Sequence, residues 1–154
     1  MRYLKIGKKR ISLKHPTYFI ADIGANHDGS IIRAKKLIKL AKFAGADAAK
    51  FQHFAAKTIV SDKGFKKMKS ESSHQKKWKK SVFEVYKSAS INSNWTKILK
   101  IYCDKLGIEF MTSPYSLEIL NEINPFVKAI KIGSGDITWI DIIKEIAKKK
   151  KWDF

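Results

Sequence analysis

Four short apolar segments of this chain each end in polar residues, and segments with helical spacing separate them. They run from Tyr18 to Gly24, from Ala46 to His53, from Ile108 to Pro114 and from Ala129 to Asp136. Apolar strands that alternate with helices favour a parallel sheet with right-handed crossovers. The carboxyl ends of parallel strands meet at one edge, where active sites of such folds are built. The pattern therefore predicts an α/β fold with a functional site at the strand ends.

The segments between the strands carry the end signals of helices. One helix is predicted from Ile31 to Ala44, with Ser30 as N-cap and Gly45 as the stop. Another, from about Trp95 to Leu106, stops at Gly107. The order βαβαβαβα predicts about four βα units. Since a closed TIM (β/α)8 barrel needs about 250 residues, a chain of 154 residues would hold a partial one.

The chain divides into two predicted regions. Residues 1–15 are expected to form a small N-terminal β-hairpin, because Tyr3 to Leu13 alternate apolar and polar residues around Gly7. Residues 16–154 are expected to form the first half of the barrel, with the fourth strand at about Val127 to Ile132. No fifth strand follows, so we expect a truncated barrel.

The net charge of +18 raises the alternative of a basic nucleic-acid-binding module. However, nearly all of the basic residues are Lys, spread at helix-surface spacing with clusters at Lys66 to Lys69 and Lys76 to Lys80. Nucleic-acid binders favour the bidentate Arg side chain. The sequence therefore favours no nucleic-acid partner, and the positive field would attract an anionic small substrate.

Cysteine usage and hydropathy indicate the compartment. The one cysteine, Cys103, lies on the apolar stripe of its helix and is predicted to be a buried core thiol. A single cysteine forms no intrachain disulfide, which fits a reducing cytoplasm. No apolar run approaches the ~20 residues of a membrane span. The prediction is a cytoplasmic protein without a membrane partner.

Charged side chains at the strand ends point to an anion site. Lys50 and Gln52 are two apart and share a face of their strand. Lys131 holds the equivalent position on the fourth strand, so two lysines would converge on one small volume. This suits an anion that carries both phosphate and carboxylate. Asp22 lies in an apolar strand, where a carboxylate is costly unless paired, and Lys50 is its expected partner. Gly133 to Asp136 would let backbone N–H groups approach the anion.

Four segments together resemble one known family. They are Phe19 to Gly29, Ala44 to Gln52, Gly107 to Tyr115 and Lys131 to Thr138. In this order they resemble the N-acetylneuraminate (sialic acid) synthase family, which includes the legionaminic and pseudaminic acid synthases. The resemblance covers residues 18 to about 148 and implies an aldolase-type barrel.

The resemblance implies a reaction. Such an enzyme condenses phosphoenolpyruvate with an N-acylated amino sugar, giving a sialic-acid-like nonulosonic acid and phosphate for surface polysaccharide biosynthesis. C3 of phosphoenolpyruvate attacks the open-chain aldehyde, water adds at C2, and phosphate leaves. A divalent metal, Mn or Mg, polarises the aldehyde, and an intact protein would form a homodimer. Another synthase that joins phosphoenolpyruvate to an aldose, such as ketodeoxyoctulosonate phosphate synthase, remains an alternative.

The resemblance also implies roles for particular residues. Four would hold the phosphate and carboxylate of phosphoenolpyruvate: Lys50, Ser113, Lys131 and Ser134. Gln52 and Asp136 would face the sugar, with Asp136 a candidate for proton transfer. Asp22 would lie at the mouth beside Lys50. Asp22 and Asp136 both stand where the family often has Glu, so each carboxylate is shorter by a methylene group.

Two parts of the family pattern lie beyond these residues. The metal-binding histidines belong to later strands, and an antifreeze-like domain follows the barrel. The four histidines present, at positions 15, 27, 53 and 74, lack metal-ligand spacing. We therefore expect no metal ligands in this chain and no activity from it alone. Without opposing strands, the inward side chains of Ile20, Ala48 and Met111 are expected to face water.

Overall fold

The structure is a computed structural model that describes residues 3–67 and 78–149. Its strands are Leu4–Ile6 (β1), Lys9–Ile11 (β2), Ile20–Gly24 (β3), Ala48–His53 (β4) and Glu109–Pro114 (β5). Part of the lysine cluster predicted at Lys76 to Lys80, together with His74, lies outside the described residues.

Seven α-helices join and follow these strands within the described residues. They are Ile31–Phe43 (α1), Ala56–Ile59 (α2), Asp62–Lys67 (α3), Val82–Ala89 (α4), Ser93–Leu106 (α5), Leu117–Ile123 (α6) and Ile140–Lys149 (α7). The Ser30 hydroxyl accepts the Arg33 N–H at 3.2 Å and caps α1, as predicted. Gly107 ends α5 in the left-handed conformation, with φ of 66°. None of the described helices has the length and apolar character needed to cross a bilayer.

A parallel sheet in the order β3-β4-β5 forms the centre of the fold. The register sets Asp22 opposite Lys50, and Gln52 opposite Ser113. The connections from β3 to β4 and from β4 to β5 pass through helices, as parallel pairing requires. The prediction of an α/β fold is therefore confirmed.

The predicted fourth strand at Val127 to Ile132 is wrong as a strand. Only one parallel bridge forms there, between Thr112 and Ile130, with the Lys131 N–H donating to the Thr112 carbonyl at 3.1 Å. The chain then enters a 3₁₀ turn at Ser134–Asp136. Among the described residues, no further strand pairs with the segment 127–132 on the side away from β5. The segment therefore has one hydrogen-bonding neighbour in the sheet. The sheet described thus has three parallel strands.

One face of the sheet, which we call the outer face, packs against α1 and α5. The Phe51 and Phe110 rings lie on it with centroids 5.7 Å apart. Ile38 from α1 and Leu99 from α5 complete this core, and all four side chains are fully buried. Each contributes roughly 1.5–3 kcal/mol relative to an exposed side chain. Cys103 is buried in the same core, as predicted, and burial raises the pKa of its thiol to about 12.

The opposite face, which we call the inner face, is covered by the hairpin of β1 and β2 at its lower part, the part near the amino ends of β4 and β5. Ile6 of the hairpin packs with Ala48, Met111 and Ala129, and all four are buried. The expectation that Ala48 and Met111 would face water is therefore wrong, because the hairpin shields them. Ile20, on the edge strand, is 45% exposed.

Two phenylalanines of this chain, one fully buried and one exposed, provide a test of the outer-face core. Phe110→Ala should lower the free energy of unfolding by about 3–5 kcal/mol, because it removes a fully buried ring and leaves a cavity. Phe43→Ala, at a ring that is 91% exposed, should change it by less than about 0.5 kcal/mol. Urea unfolding followed by circular dichroism measures both. Equal losses in the two variants would contradict the described core.

A buried histidine lies between the outer face and α5. In His53, Nδ1 is 2.7 Å from the Thr112 hydroxyl and Nε2 is 3.0 Å from the Thr96 hydroxyl. Burial and, to a smaller extent, the neighbouring His27 together lower the pKa of His53 to about 3. The imidazole is therefore neutral at pH 7 and serves as a structural hydrogen-bonding group.

This histidine makes stability depend on pH. The unfolded chain protonates His53 near pH 6.5, whereas the folded chain does so only near pH 3. The free energy of unfolding should therefore fall as pH drops from about 6.5 towards 3, by up to about 1.4 kcal/mol per pH unit from this site. Urea unfolding at a series of pH values should show a shallower slope in His53→Asn. The control His15→Asn should keep the slope of the wild type, and an unchanged slope in His53→Asn would contradict the assignment.

Candidate functional site

Polar side chains gather where the carboxyl ends of β3, β4 and β5 meet the inner face. We call Asp22, Lys50, Gln52, Tyr115 and Asp136 the strand-end cluster. The parallel register aligns Asp22 with Lys50, and Tyr115 directly follows the last residue of β5. The cluster combines one cation, two carboxylates, an amide and a phenol, a set suited to binding a polar, charged small molecule.

An ion pair lies at the centre of the cluster. Lys50 Nζ lies 2.8 Å from Asp22 Oδ2, as the sequence predicted. The Lys50 side chain is 7% exposed and that of Asp22 is 64% exposed. Lys50 thus carries its charge inside the fold, where an ammonium group needs a partner, while Asp22 reaches solvent. The pair holds the Lys50 ammonium group in place on the inner face, near the carboxyl ends of the strands.

Gln52 extends beside this pair. Its Nε2 donates to the Tyr115 hydroxyl at 3.1 Å. Its Oε1 lies over Gly24, where an added Cβ would come within 3.3 Å of that oxygen and 3.5 Å of Asp22 Oδ1. Gly24 has a φ of 54° and no side chain, so it leaves room for both oxygens. The amide and carboxylate oxygens therefore share the space above Gly24.

Tyr115 is a member of the cluster to which sequence reasoning assigned no role. Its ring packs edge-to-face on Phe54, with centroids 6.2 Å apart, and Phe54 in turn contacts Tyr86 of α4. The pKa of the phenol is raised overall. Burial is the largest cause, the charges of Asp136 and Asp22 raise the pKa as well, and the hydrogen bond from Gln52 lowers it in part. The one sequence signal was its position directly after a strand that ends in polar residues.

Asp136 closes the cluster from the turn after residue 132. Its N–H donates to the Gly133 carbonyl at 3.0 Å, and its carboxylate folds back over Gly133 so closely that a Cβ there would collide with Oδ2. The same added Cβ would lie 3.5 Å from the Tyr115 ring. Gly133 is therefore required for the carboxylate to reach the side of the cluster that holds Tyr115.

The remaining predicted site residues are Lys131, Ser134 and Ser113, which are not part of the strand-end cluster. Ala129 packs on the inner face, and Lys131, two residues later, donates its backbone N–H to the Thr112 carbonyl. Lys131 and Ser134 are both exposed. The Ser113 hydroxyl is buried and makes no hydrogen bond within the described structure. Ser113 is thus shielded from solvent.

The described residues do not fit a metal ion. No group of three or more His, Cys, Asp or Glu side chains lies close enough together in residues 3–67 and 78–149. His53 is engaged on the outer face, and His27 Nδ1 accepts the Gly29 N–H at 3.1 Å in a buried turn. Burial lowers the pKa of His27. These histidines are structural.

A cavity of about 690 Å³ lies at the opposite end of the sheet. The hairpin, including Gly7 and Lys9, and the turns before β4 and β5, including Asp47 and Gly107, form its walls. Burial and the charges of Glu109 and Asp47 raise the pKa of Tyr18 in this cavity to about 12. No member of the strand-end cluster lines it. The cluster lies at the other end of the sheet, at the carboxyl ends of β3, β4 and β5, which we call the mouth.

Removing Asp22 should destabilise the protein, since the buried Lys50 ammonium would lose its partner. We expect Asp22→Asn to lower the free energy of unfolding by about 1–2 kcal/mol at pH 7, which is less than the ~1.5–3 kcal/mol of a fully buried hydrogen bond to a charged group because Asp22 is exposed. The control Asp62→Asn breaks an exposed pair with Lys66 and should have no measurable effect. Urea unfolding at constant ionic strength compares the variants. A loss in Asp62→Asn as large as in Asp22→Asn would contradict the special status of the Lys50 pair.

Comparison with known proteins identifies the family. Residues 37–152 match the model of the NeuB family. A curated relative from Campylobacter jejuni, N,N'-diacetyllegionaminic acid synthase, is 36% identical over 141 residues, which is 88% of this chain and 40% of that protein. An uncharacterized protein from Methanocaldococcus jannaschii is 35% identical over 154 residues, covering 98% of this chain and 40% of the other.

A solved structure agrees. The N-acetylneuraminic acid (sialic acid) synthetase of Leptospira borgpetersenii, crystallised with citrate, superimposes with a TM-score of 0.80 and 25% identity over 96% of this chain and 47% of that one. The chain therefore spans less than half the length of the proteins it matches. The family match covers well over half of the chain, and the predicted resemblance is confirmed: the chain belongs to the NeuB family.

Proposed function

We propose that this chain is part of a synthase that condenses phosphoenolpyruvate with an N-acylated amino sugar. The product would be a sialic-acid-like nonulosonic acid, released with phosphate, for surface polysaccharide biosynthesis. The observation that carries the proposal is the strand-end cluster, in which a buried cation, an amide and two carboxylates gather in a chain of the NeuB family. The proposal concerns the complete protein that contains these residues, because the chain covers less than half of the length of the relatives it matches.

We propose that residues 16–154 form the first half of an aldolase-type (β/α)8 barrel and that residues 1–15 close its bottom. The parallel three-stranded sheet, with helices on the outer face and the hairpin under the inner face, supports this arrangement. The inner face would become the barrel interior when further strands pair with the open edges. The cluster would then lie at the carboxyl ends of barrel strands, where active sites of this fold lie.

The anionic substrate would bind on the lysine-bearing side of the cluster. Four residues would hold the phosphate and carboxylate of phosphoenolpyruvate: Lys50, Ser113, Lys131 and Ser134. Lys50 lies on the inner face, and alternation from Ala129 would set Lys131 on the same face, so two positive charges would be available to one dianion. Ser113 would contribute only after its side chain becomes accessible, because its hydroxyl is shielded.

The sugar would bind on the other side, towards Gln52 and Asp136. C3 of phosphoenolpyruvate would attack the open-chain aldehyde and form a carbon–carbon bond. Water would add at C2, and the C2–oxygen bond to phosphate would break as phosphate leaves. Asp136 would accept or return a proton during these steps, and Asp22 would keep Lys50 oriented through their ion pair.

Three further features belong to the proposal. The complete enzyme would use Mn or Mg to polarise the aldehyde, with ligands outside the described residues, which offer no ligand set. The complete enzyme would form a homodimer. We place it in the cytoplasm, in keeping with its free, buried cysteine.

Binding of phosphoenolpyruvate tests the proposal. Lys131→Ala should raise the dissociation constant of the complete enzyme for phosphoenolpyruvate about tenfold, because one charge-assisted hydrogen bond to the anion is lost. Isothermal titration calorimetry at fixed ionic strength measures the constant. The matched control is Lys128→Ala, which removes the same charge from an exposed lysine that lines the opposite cavity.

The control variant should bind as the wild type does. Equal weakening in Lys128→Ala and Lys131→Ala would mean that net charge alone attracts the anion, and it would remove Lys131 from the site. A complete enzyme that carries these residues and does not bind phosphoenolpyruvate would overturn the proposed function.

A further inference from the structure

The contact between Gln52 and Tyr115 joins two neighbouring βα units at the mouth. Gln52 is the fifth residue of β4, and Tyr115 follows β5 directly. The Gln52 Nε2 donates to the Tyr115 hydroxyl at 3.1 Å, across 63 positions of sequence. Both side chains are half-buried, so they are accessible to a ligand while their packing limits their motion.

The position of the Tyr115 hydroxyl is set by packing rather than by Gln52. Its ring stands edge-to-face on Phe54, with the planes at 81°. On another side it lies close above Gly133, where an added Cβ would come within 3.5 Å of a ring carbon. A ring held at two points presents its hydroxyl at a defined place, and it can therefore orient a neighbour.

The charges around Tyr115 favour its role as the acceptor in this hydrogen bond. The carboxylates of Asp136 and Asp22 both raise the pKa of the phenol, beyond the effect of its burial. The phenol therefore keeps its proton at neutral pH, and these carboxylates attract that proton. A lone pair of the phenol oxygen is then free for the Gln52 amide.

The other end of the same amide is thereby directed to the open mouth. Gln52 Oε1 lies beside Gly24, in the space that it shares with Asp22 Oδ1. Two acceptor oxygens at one place suit a ligand that presents hydroxyl or amide N–H donors, as an N-acylated sugar does. They do not suit phosphate or carboxylate, whose oxygens are acceptors themselves.

We infer that Tyr115 is a positioning residue that holds the Gln52 amide so that Oε1 receives a donor group of the sugar. This inference rests on the proposed function and deepens it. It separates the cluster into an anion side at Lys50, towards which Lys131 would extend, and a donor-reading side at Gln52, with Tyr115 acting through Gln52 and not on the reacting atoms. A site built to accept a hydrogen bond discriminates strongly against ligands that lack the donor.

The test uses two ligands and two matched variants of the complete enzyme that carries these residues. The ligands are phosphoenolpyruvate and N-acetylmannosamine, the six-carbon sugar that remains when three pyruvate carbons are removed from N-acetylneuraminate. Tyr115→Phe keeps the ring and removes only the hydroxyl. Tyr86→Phe makes the same change in a tyrosine that also contacts Phe54. Calorimetric titration gives the dissociation constants.

We expect Tyr115→Phe to weaken sugar binding about fivefold, the size of one net hydrogen bond, and to leave phosphoenolpyruvate binding unchanged. Tyr86→Phe should alter neither constant. Gln52→Ala should weaken sugar binding as well, and adding Tyr115→Phe to it should cause no further loss, because both changes remove one contact. Weakening of both ligands in Tyr115→Phe, or of neither, would overturn the inference while the proposed function stands.

A measurement without ligand tests the hydrogen bond itself. The Gln52 side-chain NH₂ resonances in an NMR spectrum should shift in Tyr115→Phe and remain in place in Tyr86→Phe. Unmoved resonances in Tyr115→Phe would overturn the inference whatever the binding data show. A complete wild-type enzyme that binds neither ligand would instead overturn the proposed function, and the sugar-reading role would fall with it.

Discussion

The parallel pairing of β4 with β3 and β5 is the constraint on which the other features depend. From Ala48 to Phe51, each residue of β4 has a register partner on both neighbours, and Gln52 and His53 are paired with β5 alone. Parallel strands share a direction, so the charged and polar residues at their carboxyl ends arrive at one edge. The same register puts every second side chain on the outer face, against α1 and α5, and the others on the inner face. Core and cluster are thus two results of one hydrogen-bonding pattern.

The two faces of this sheet serve different purposes. The outer face is apolar and closely packed, and even its histidine is neutral and fully hydrogen-bonded. The inner face changes character along the strands. Its lower part is apolar and covered by the hairpin, while its upper part carries Lys50 and Gln52. Stability and candidate function are therefore separated along one strand direction, in the manner of barrel enzymes.

Glycine makes the close approach within the cluster possible. At Gly24 the space of a missing side chain holds oxygens of Gln52 and Asp22, and at Gly133 it holds the carboxylate of Asp136. A backbone without Cβ allows these polar atoms to come nearer to one another than ordinary strand spacing permits. The result is that oxygens of Gln52 and Asp22 lie together at Gly24, next to the buried charge of Lys50.

Much of this arrangement was already determined by the sequence. Alternating strand and helix patterns predicted the α/β fold, helix ends at Ser30 and Gly107 were confirmed, and an isolated carboxylate in an apolar strand predicted the Asp22–Lys50 pair. These are local signals, or depend on two neighbouring strands, so spacing along the chain reveals them. Tertiary structure decided the rest. The hairpin buries Ala48 and Met111, the segment after Val127 forms a single bridge instead of a strand, and Tyr115 reaches Gln52 across 63 positions. Each of these results depends on which distant surfaces meet, and no local pattern of residue types encodes that geometry.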